Sequence, residues 1–270
     1  MAHISGLIIY PVKGCGGIAL EVARLTPTGL AYDRHWMVVH PDGRFVTQRE
    51  FPRLALVGTK LDGSRLTLAA AGQEPLTIEP GRDGARMHVQ VWGDRCIGID
   101  EGDAAAAWFS RHLQQPVRLV RFDPAKPRPS DPDYARDLPA FSEFSDGFAI
   151  LVISEASLAD LNTRLATPLP MNRFRPNIVI AGVEAFDEDR METLTADAIE
   201  LRLVKSCTRC QVTTTDQVTA QVSEEPLATL ASFRMHAQLG GVAFGQNAVV
   251  ANGAGHTLRV GQTLDEVWNF

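Results

Sequence analysis

The sequence predicts a mixed, mainly β fold with isolated helices. Three observations predict it: short apolar or β-branched runs recur along the chain, glycine and proline turns separate them, and helical periodicity is confined to a few segments. Strands and helices do not alternate as repeated βαβ units, and no Gly-x-Gly-x-x-Gly or Walker-type loop follows a strand. The 270 residues suffice for two domains or one large one.

The elements follow in order. His3 to Val12 is apolar-rich and runs into Tyr10-Pro-Val-Lys-Gly-Cys-Gly-Gly17, where proline and three glycines mark a tight connection. Strands are expected at His35 to Val39, Arg44 to Gln48, Leu54 to Lys60, Arg65 to Ala70 and His88 to Val91. His40-Pro-Asp-Gly43 and Asp62-Gly63 are hairpin signals between them, since glycine accepts the positive φ such turns need. Asp103 to Gln114 is an alanine-rich helix whose Trp108, Phe109 and Leu113 face a core. Arg118 to Phe122 is a further short strand. From Asp123 to Phe141, prolines at 124, 127, 129, 132 and 139 exclude a regular helix or central strand, which predicts a linker or long wrapping loop.

Phe148 to Ile153 is a continuous apolar run of buried-strand type, and Ser154 caps the helix that follows through Leu158, Leu161 and Leu165. Asn177 to Ala181 is a strand, and Leu194 to Ala196 pairs with Ile199 to Val204 across Asp197-Ala198. Glu225-Pro226 opens a helix to about Phe233. Val242 to Ala251 and Thr257 to Val260 complete a strand-rich C-terminus.

Composition narrows the setting. Charged residues at 21% and hydrophobic residues at 45% describe an ordinary folded mixture, and a net charge of −6 argues against broad nucleic-acid binding. No run approaches the ~20 apolar residues of a membrane-spanning helix, so no membrane partner is expected. Four cysteines in a chain of this length form no disulfide scaffold and favour a reducing compartment.

Two of those cysteines stand together in Cys207-Thr-Arg-Cys210, before Gln211-Val-Thr-Thr-Thr-Asp216. Lys205 and Arg209 are nearby cations, which lower a thiol pKa and favour the thiolate. A redox dithiol would normally sit at a helix N-terminus, whereas Val212 to Thr215 reads as extended. Structural zinc wants four ligands in close pairs, and Cys15 and Cys96 each stand alone. A soft thiolate suits molybdenum, copper or zinc, and residue chemistry leaves the choice open. Lys13 in its glycine-rich turn, Arg34 beside Asp33, Arg173 and Arg175 around Phe174, and the Ser145-Asp146-Gly147 turn could line one anion-binding cleft.

The chain resembles the MOSC-domain molybdenum enzymes, in particular the two-part group containing the mitochondrial amidoxime-reducing component and its bacterial relatives. The matching stretches are Tyr10-Pro-Val-Lys-Gly-Cys15, Gly29-Leu-Ala-Tyr-Asp-Arg-His-Trp36, Phe45-Val-Thr-Gln-Arg49, Ser154-Glu-Ala-Ser-Leu158, Phe174-Arg-Pro-Asn177, Cys207-Thr-Arg-Cys210 and Phe244-Gly-Gln246. The resemblance implies an N-terminal MOSC-associated β-rich domain over 1–122, a proline-rich linker over 123–141 and a MOSC β-barrel-like domain with peripheral helices over 142–270. It implies a molybdenum cofactor (Mo-molybdopterin) between the halves, with Cys210 as the metal ligand and Cys207 in support. Lys13 and Arg34 would hold the pterin phosphate; Arg175, Asn177, Gly14, Gly147 and Arg209 would line the cofactor site; Asp146 would lie close to the metal with a catalytic role.

This chain departs from close relatives at Gly14, where they carry serine, and at Gly147-Phe148, where they carry threonine-serine. The activity implied is two-electron N–O cleavage of small N-hydroxylated compounds, such as amidoximes and hydroxylamines. A cofactor or sulfur carrier acting through the Cys210 thiolate is the alternative. No intrinsic iron–sulfur cluster, flavin, NAD or pyridoxal phosphate is expected, which implies a separate electron-donor protein. A monomer is expected. The absence of a basic amphipathic leader in the sequence gives the expectation of a bacterial, cytoplasmic protein.

Overall fold

A computed structural model describes residues 1–79, 81 and 83–269. The fold is mixed and mainly β: a β-rich N-terminal part packs against a barrel-like sheet with peripheral helices. The large sheet runs in the order Asp265–Trp268, Met191–Ala196, Ile199–Thr208, Gly241–Asn252, Ile150–Ser154, Ile178–Ala181, His3–Ile9 and Ile18–Leu20, with Met235–His236 pairing off Gly241–Asn252. The first strand therefore belongs to the sheet of the second half: His3–Ile9 lies antiparallel to Ile178–Ala181, with Leu7 opposite Ile178. A core containing Ile4, Leu7, Val152, Ile180, Leu201 and Ala248 fills one face of this sheet. Burying each of the Ile, Leu and Val side chains contributes on the order of 2 kcal/mol, so the N-terminal strand is held by packing as well as by its ladder.

The N-terminal part carries a second sheet, Trp36–Val39, Arg118–Phe122, Asp94–Asp100 and Arg86–Val91, and a small antiparallel one, Gly58–Asp62, Arg65–Ala69 and Leu76–Ile78. The Asp103–Leu113 helix packs Trp108, Phe109 and Leu113 into this part's core, as its spacing predicts. Gly63, with φ 58°, turns the hairpin between Asp62 and Arg65. The Ser154 cap is realised: its hydroxyl accepts the Ser157 N–H at 3.0 Å.

Several expectations need correction. Arg44 to Gln48 is not a continuous strand: only Phe45 bridges Val39 and Arg44 bridges Gln90. Pro52–Leu56 is a short 3₁₀ helix opened by Pro52, so Leu54 to Leu56 of the expected Leu54 to Lys60 strand are helical and the strand begins at Gly58. Val212 to Thr215 is not extended either; Gln211–Thr214 forms a 3₁₀ turn with Thr213 Oγ1 bonded to the Cys210 carbonyl at 3.0 Å. The proline-rich stretch contains one helical turn, Pro132–Ala135, begun by proline and capped by the Asp131 carboxylate. The strands at Ile18–Leu20, Val22–Thr26, Asp94–Asp100 and Asp265–Trp268 are too short or too polar to stand out in the sequence.

Candidate functional site

The two halves meet around a cleft. Lys13, Gly14, Arg34, Asp146, Gly147, Arg175, Asn177, Arg209 and Cys210 all line it, although they are spread over almost 200 positions of sequence. Lys13, Arg34, Arg49, Arg175 and Arg209 supply its cations, and Asp146 is the one carboxylate among its described lining residues.

The Tyr10–Gly17 turn is fastened to the Asp33–Trp36 segment. Asp33 accepts the Tyr10 N–H at 2.9 Å, Lys13 N–H donates to the Trp36 carbonyl at 2.8 Å, and Arg34 N–H donates to the Tyr10 carbonyl at 2.8 Å. The Lys13, Cys15 and Gly16 N–H groups all bond to protein carbonyls. These three are therefore not free to cradle a phosphate, and the turn contributes the Lys13 side chain instead.

Arg34 and Arg175 both adopt positive φ, 48° and 56°. That conformation costs a non-glycine residue about 1–3 kcal/mol and persists where its surroundings over-determine it. Here they do. Arg34 Nη1 donates to Asp33 at 2.6 Å and to Asn177 Oδ1 at 3.0 Å, and its Nη2 donates to the Arg175 carbonyl at 3.0 Å. Asn177 is itself locked, donating to the Ile8 carbonyl and accepting the Leu151 N–H. Arg175 donates to the Cys15 carbonyl at 2.8 Å and to Gln217 at 3.3 Å, and its other terminal nitrogen is buried without a partner. The ring of Tyr10 receives both guanidiniums, its centroid 4.4 Å from Arg34 and 4.1 Å from Arg175. Burial pulls the Arg175 guanidinium down to about 10, against the pull of Tyr10. Burial likewise raises the Asp33 carboxyl, which Arg34 opposes.

Across the cleft, Lys13 Nζ donates to Asp146 at 2.6 Å and to the Phe144 carbonyl at 2.8 Å. Trp92 Nε1 donates to the same Asp146 oxygen at 2.9 Å. Partial desolvation works to raise the Asp146 carboxyl, but the Lys13 ammonium and the Trp92 N–H hold it well below the usual carboxylate range. Burial lowers Lys13, with Asp146 opposing.

Cys207 and Cys210 are both free thiols at the cleft wall. Arg209 reaches Cys207 Sγ at 2.8 Å and the Phe174 carbonyl at 2.6 Å, leaving its buried Nε without a partner. Lys205 points elsewhere, 3.8 Å over the Tyr134 ring. The expectation that both cations lower the thiols is therefore corrected for Cys207: burial pushes it up, and Arg209 opposes only in part. Among the described residues no group of three or more His, Cys, Asp or Glu is assembled to hold a metal ion. The soft donors of the cleft are instead its two thiols, of which Cys207 is taken up by Arg209 and Cys210 has no such cation contact.

Sequence reasoning gave no role to Tyr10, Gln48, Trp92, Arg128 or Gln217. Tyr10 and Gln48 lie inside stretches already singled out, which is the signal that could have found them. Gln48 and Gln217 exchange amide hydrogen bonds at 3.1 Å across the cleft. Trp92 and Arg128 carry no local sequence signal of their partners.

A barrel-like β part closed against a second sheet over such a cleft is the arrangement of the MOSC fold, and residue matches agree. Residues 1–116 match the MOSC N-terminal beta barrel domain, and residues 142–265 match the MOSC domain. The chain belongs to the MOSC family. It is 40% identical over 242 residues to mitochondrial amidoxime-reducing component 1 of Homo sapiens, covering 86% of this chain and 72% of that protein. It is 39% identical over 249 residues to mitochondrial amidoxime reducing component 2 of Rattus norvegicus and 37% identical over 242 to that of Bos taurus, with the same coverage. These relatives are named for mitochondria, which overturns the expectation of a cytoplasmic protein. No helix among the described residues is long and apolar enough to cross a membrane.

Proposed function

We propose that the protein is a molybdenum-cofactor-dependent reductase of small N-hydroxylated compounds, such as amidoximes and hydroxylamines. Family membership supports an oxidoreductase role, and the relatives' names supply the substrate class. One structural observation carries the reading: a soft thiol, Cys210, opens into a cleft dominated by cations, with Arg175 Nη2 and Arg209 Nε buried and unpartnered. A buried donor without an acceptor costs about 1–3 kcal/mol, so these groups await an anion. A pterin phosphate with a sulfur-ligated metal satisfies both needs.

In this reading Cys210 holds the metal and Cys207 supports the loop. Lys13, Arg34, Arg175 and Arg209 bind the phosphate-bearing group, Asn177 keeps Arg34 in place, Gly147 leaves room along the wall, and Gly14 lines it with backbone at positive φ. When bound, the cofactor supplies the two-electron chemistry that divides an N–O bond; the protein binds, orients and shields. Asp146, held ionised by Lys13 and Trp92, accepts a hydrogen bond from an N–H or O–H of the substrate. The buried ring of Phe45 and the exposed ring of Trp92, 5.0 Å apart, exclude water around it. Electrons come from a separate donor protein. We assign residues 1–122 and 142–270 as the two domains and 123–141 as the connection.

The test is turnover. Protein made in a cofactor-competent host should reduce benzamidoxime with a chemical electron donor. Cofactor loading without any reduction would favour a carrier acting through Cys210 and overturn the enzyme reading.

A further inference from the structure

The proline-rich connection holds a residue that grips the loop bearing Asp146 from behind the cleft. Arg128 is 4% exposed, and its guanidinium is wholly engaged. Its Nε and Nη2 grip one oxygen of Asp94 at 2.9 and 2.6 Å. Its Nη1 donates to the carbonyls of Glu143 and Ser145 at 2.9 and 2.7 Å and to Ser142 Oγ at 3.2 Å, while Nη2 also reaches the Asp146 carbonyl at 3.0 Å. The Ser142–Asp146 loop is thus wound around one side chain. The prolines frame that winding: Pro129 bridges Phe141, and Ser142 N–H returns to the Arg128 carbonyl at 3.0 Å.

The two ends of this grip carry the two partners of one site hydrogen bond. Asp94 begins the Asp94–Asp100 strand, two residues after Trp92, whose indole N–H donates to Asp146. The Asp146 backbone is held by the same guanidinium that holds Asp94. We propose that Arg128 is a positioning residue: by tying the Trp92–Asp94 turn to the Ser142–Asp146 loop, it sets the Trp92–Asp146–Lys13 hydrogen-bond chain at the cleft mouth. Arginine is required because its planar fork serves a carboxylate and several diverging carbonyls at once. A lysine has three donors on one atom and cannot span them. Connecting segment and site geometry are then one unit, although nothing in the segment lines the cleft beside Asp146.

Of the chain's four indoles, those of Trp92, Trp36 and Trp108 allow a direct test. Trp36 Nε1 donates to Glu101 at 2.7 Å and Trp108 Nε1 to the Glu74 carbonyl at 2.8 Å, both away from this loop. In nitrogen-15 spectra of the full chain, with indole resonances assigned by Trp→Phe variants, Arg128→Lys should shift the Trp92 indole signal. Hydrogen exchange of that N–H should rise about tenfold, the effect of weakening a hydrogen bond to a charged acceptor. The Trp36 and Trp108 signals should stay in place. Asp94→Asn, which alters a half-exposed carboxylate and preserves the fold, should move the same Trp92 signal by a smaller amount and decides the matter if Arg128→Lys does not fold. An unmoved Trp92 signal, or equal movement of all three indoles, overturns the proposal. The inference rests on the reading that Asp146 serves this cleft; failure of that reading would appear as missing molybdenum and missing turnover with the indole response intact.

Discussion

Replacing Tyr10 separates packing from charge at the centre of the site. Its ring is 2% exposed and receives two guanidiniums at 4.4 and 4.1 Å. A desolvated cation–π contact contributes about 1–2 kcal/mol, so the two contacts together are worth roughly 2–4 kcal/mol. Tyr10→Phe keeps the ring and should lie within about 1 kcal/mol of the parent. Tyr10→Leu removes the ring at similar apolar character and should lose the whole amount. For a chain of this size that is a fall in Tm of roughly 5–10 °C, read by calorimetry on the two variants side by side. Cofactor retention should fall with it, since Arg34 and Arg175 lose their common support. The reasoning is refuted if Tyr10→Leu melts within a degree of Tyr10→Phe.

Further expectations concern titration and backbone. Asp146 is held below the usual carboxylate range, so its contribution to stability is full above pH ~4 and fades only as pH falls through the lowered value. The Tm gap between the parent and Asp146→Asn should be constant from pH 7 to 5; it should also be small, because the side chain is 68% exposed. A midpoint in that window would contradict the ion pair. Glu188 is fully buried and its carboxyl is raised by burial, against hydrogen bonds from Ser157 and Ser154. Its stability contribution is therefore present on the acid side and lost as pH rises through the raised value. Glu188→Gln should gain about 1 kcal/mol at neutral pH and nothing near pH 4, measured by urea unfolding. Gly245 has φ 81°, and a Cβ there would meet Ile153 Cγ1 at 2.5 Å and the Val152 carbonyl at 2.8 Å. Gly245→Ala should cost about 2 kcal/mol or more; a neutral result would remove the reason given for glycine in Phe244-Gly-Gln246.

Much of this site was legible in the sequence because its residues lie in short, chemically pointed stretches. Cys207-Thr-Arg-Cys210 is conspicuous among four cysteines, and the Tyr10–Gly17 turn announces itself by proline and glycine. What sits between such stretches was not legible. Arg128 is an arginine among prolines until the fold brings Asp94 and three loop carbonyls to it, and Trp92 is a turn residue until Asp146 meets it from 54 positions away. The first strand's place in the far sheet escaped for the same reason: apolar periodicity says that a strand is buried, but not which strand it pairs with. Cation proximity in sequence misled at Lys205, whose side chain turns to Tyr134 rather than to the thiols.

The central claim is that Cys210 holds molybdenum in the cleft between the halves. Metal and pterin content, measured on the parent, Cys210→Ala and Cys207→Ala purified from a cofactor-competent host, tests it most directly. The account predicts stoichiometric molybdenum and pterin in the parent, loss of molybdenum in Cys210→Ala and substantial retention in Cys207→Ala. Zinc alone in the parent, or equal metal loading in both variants, would contradict it.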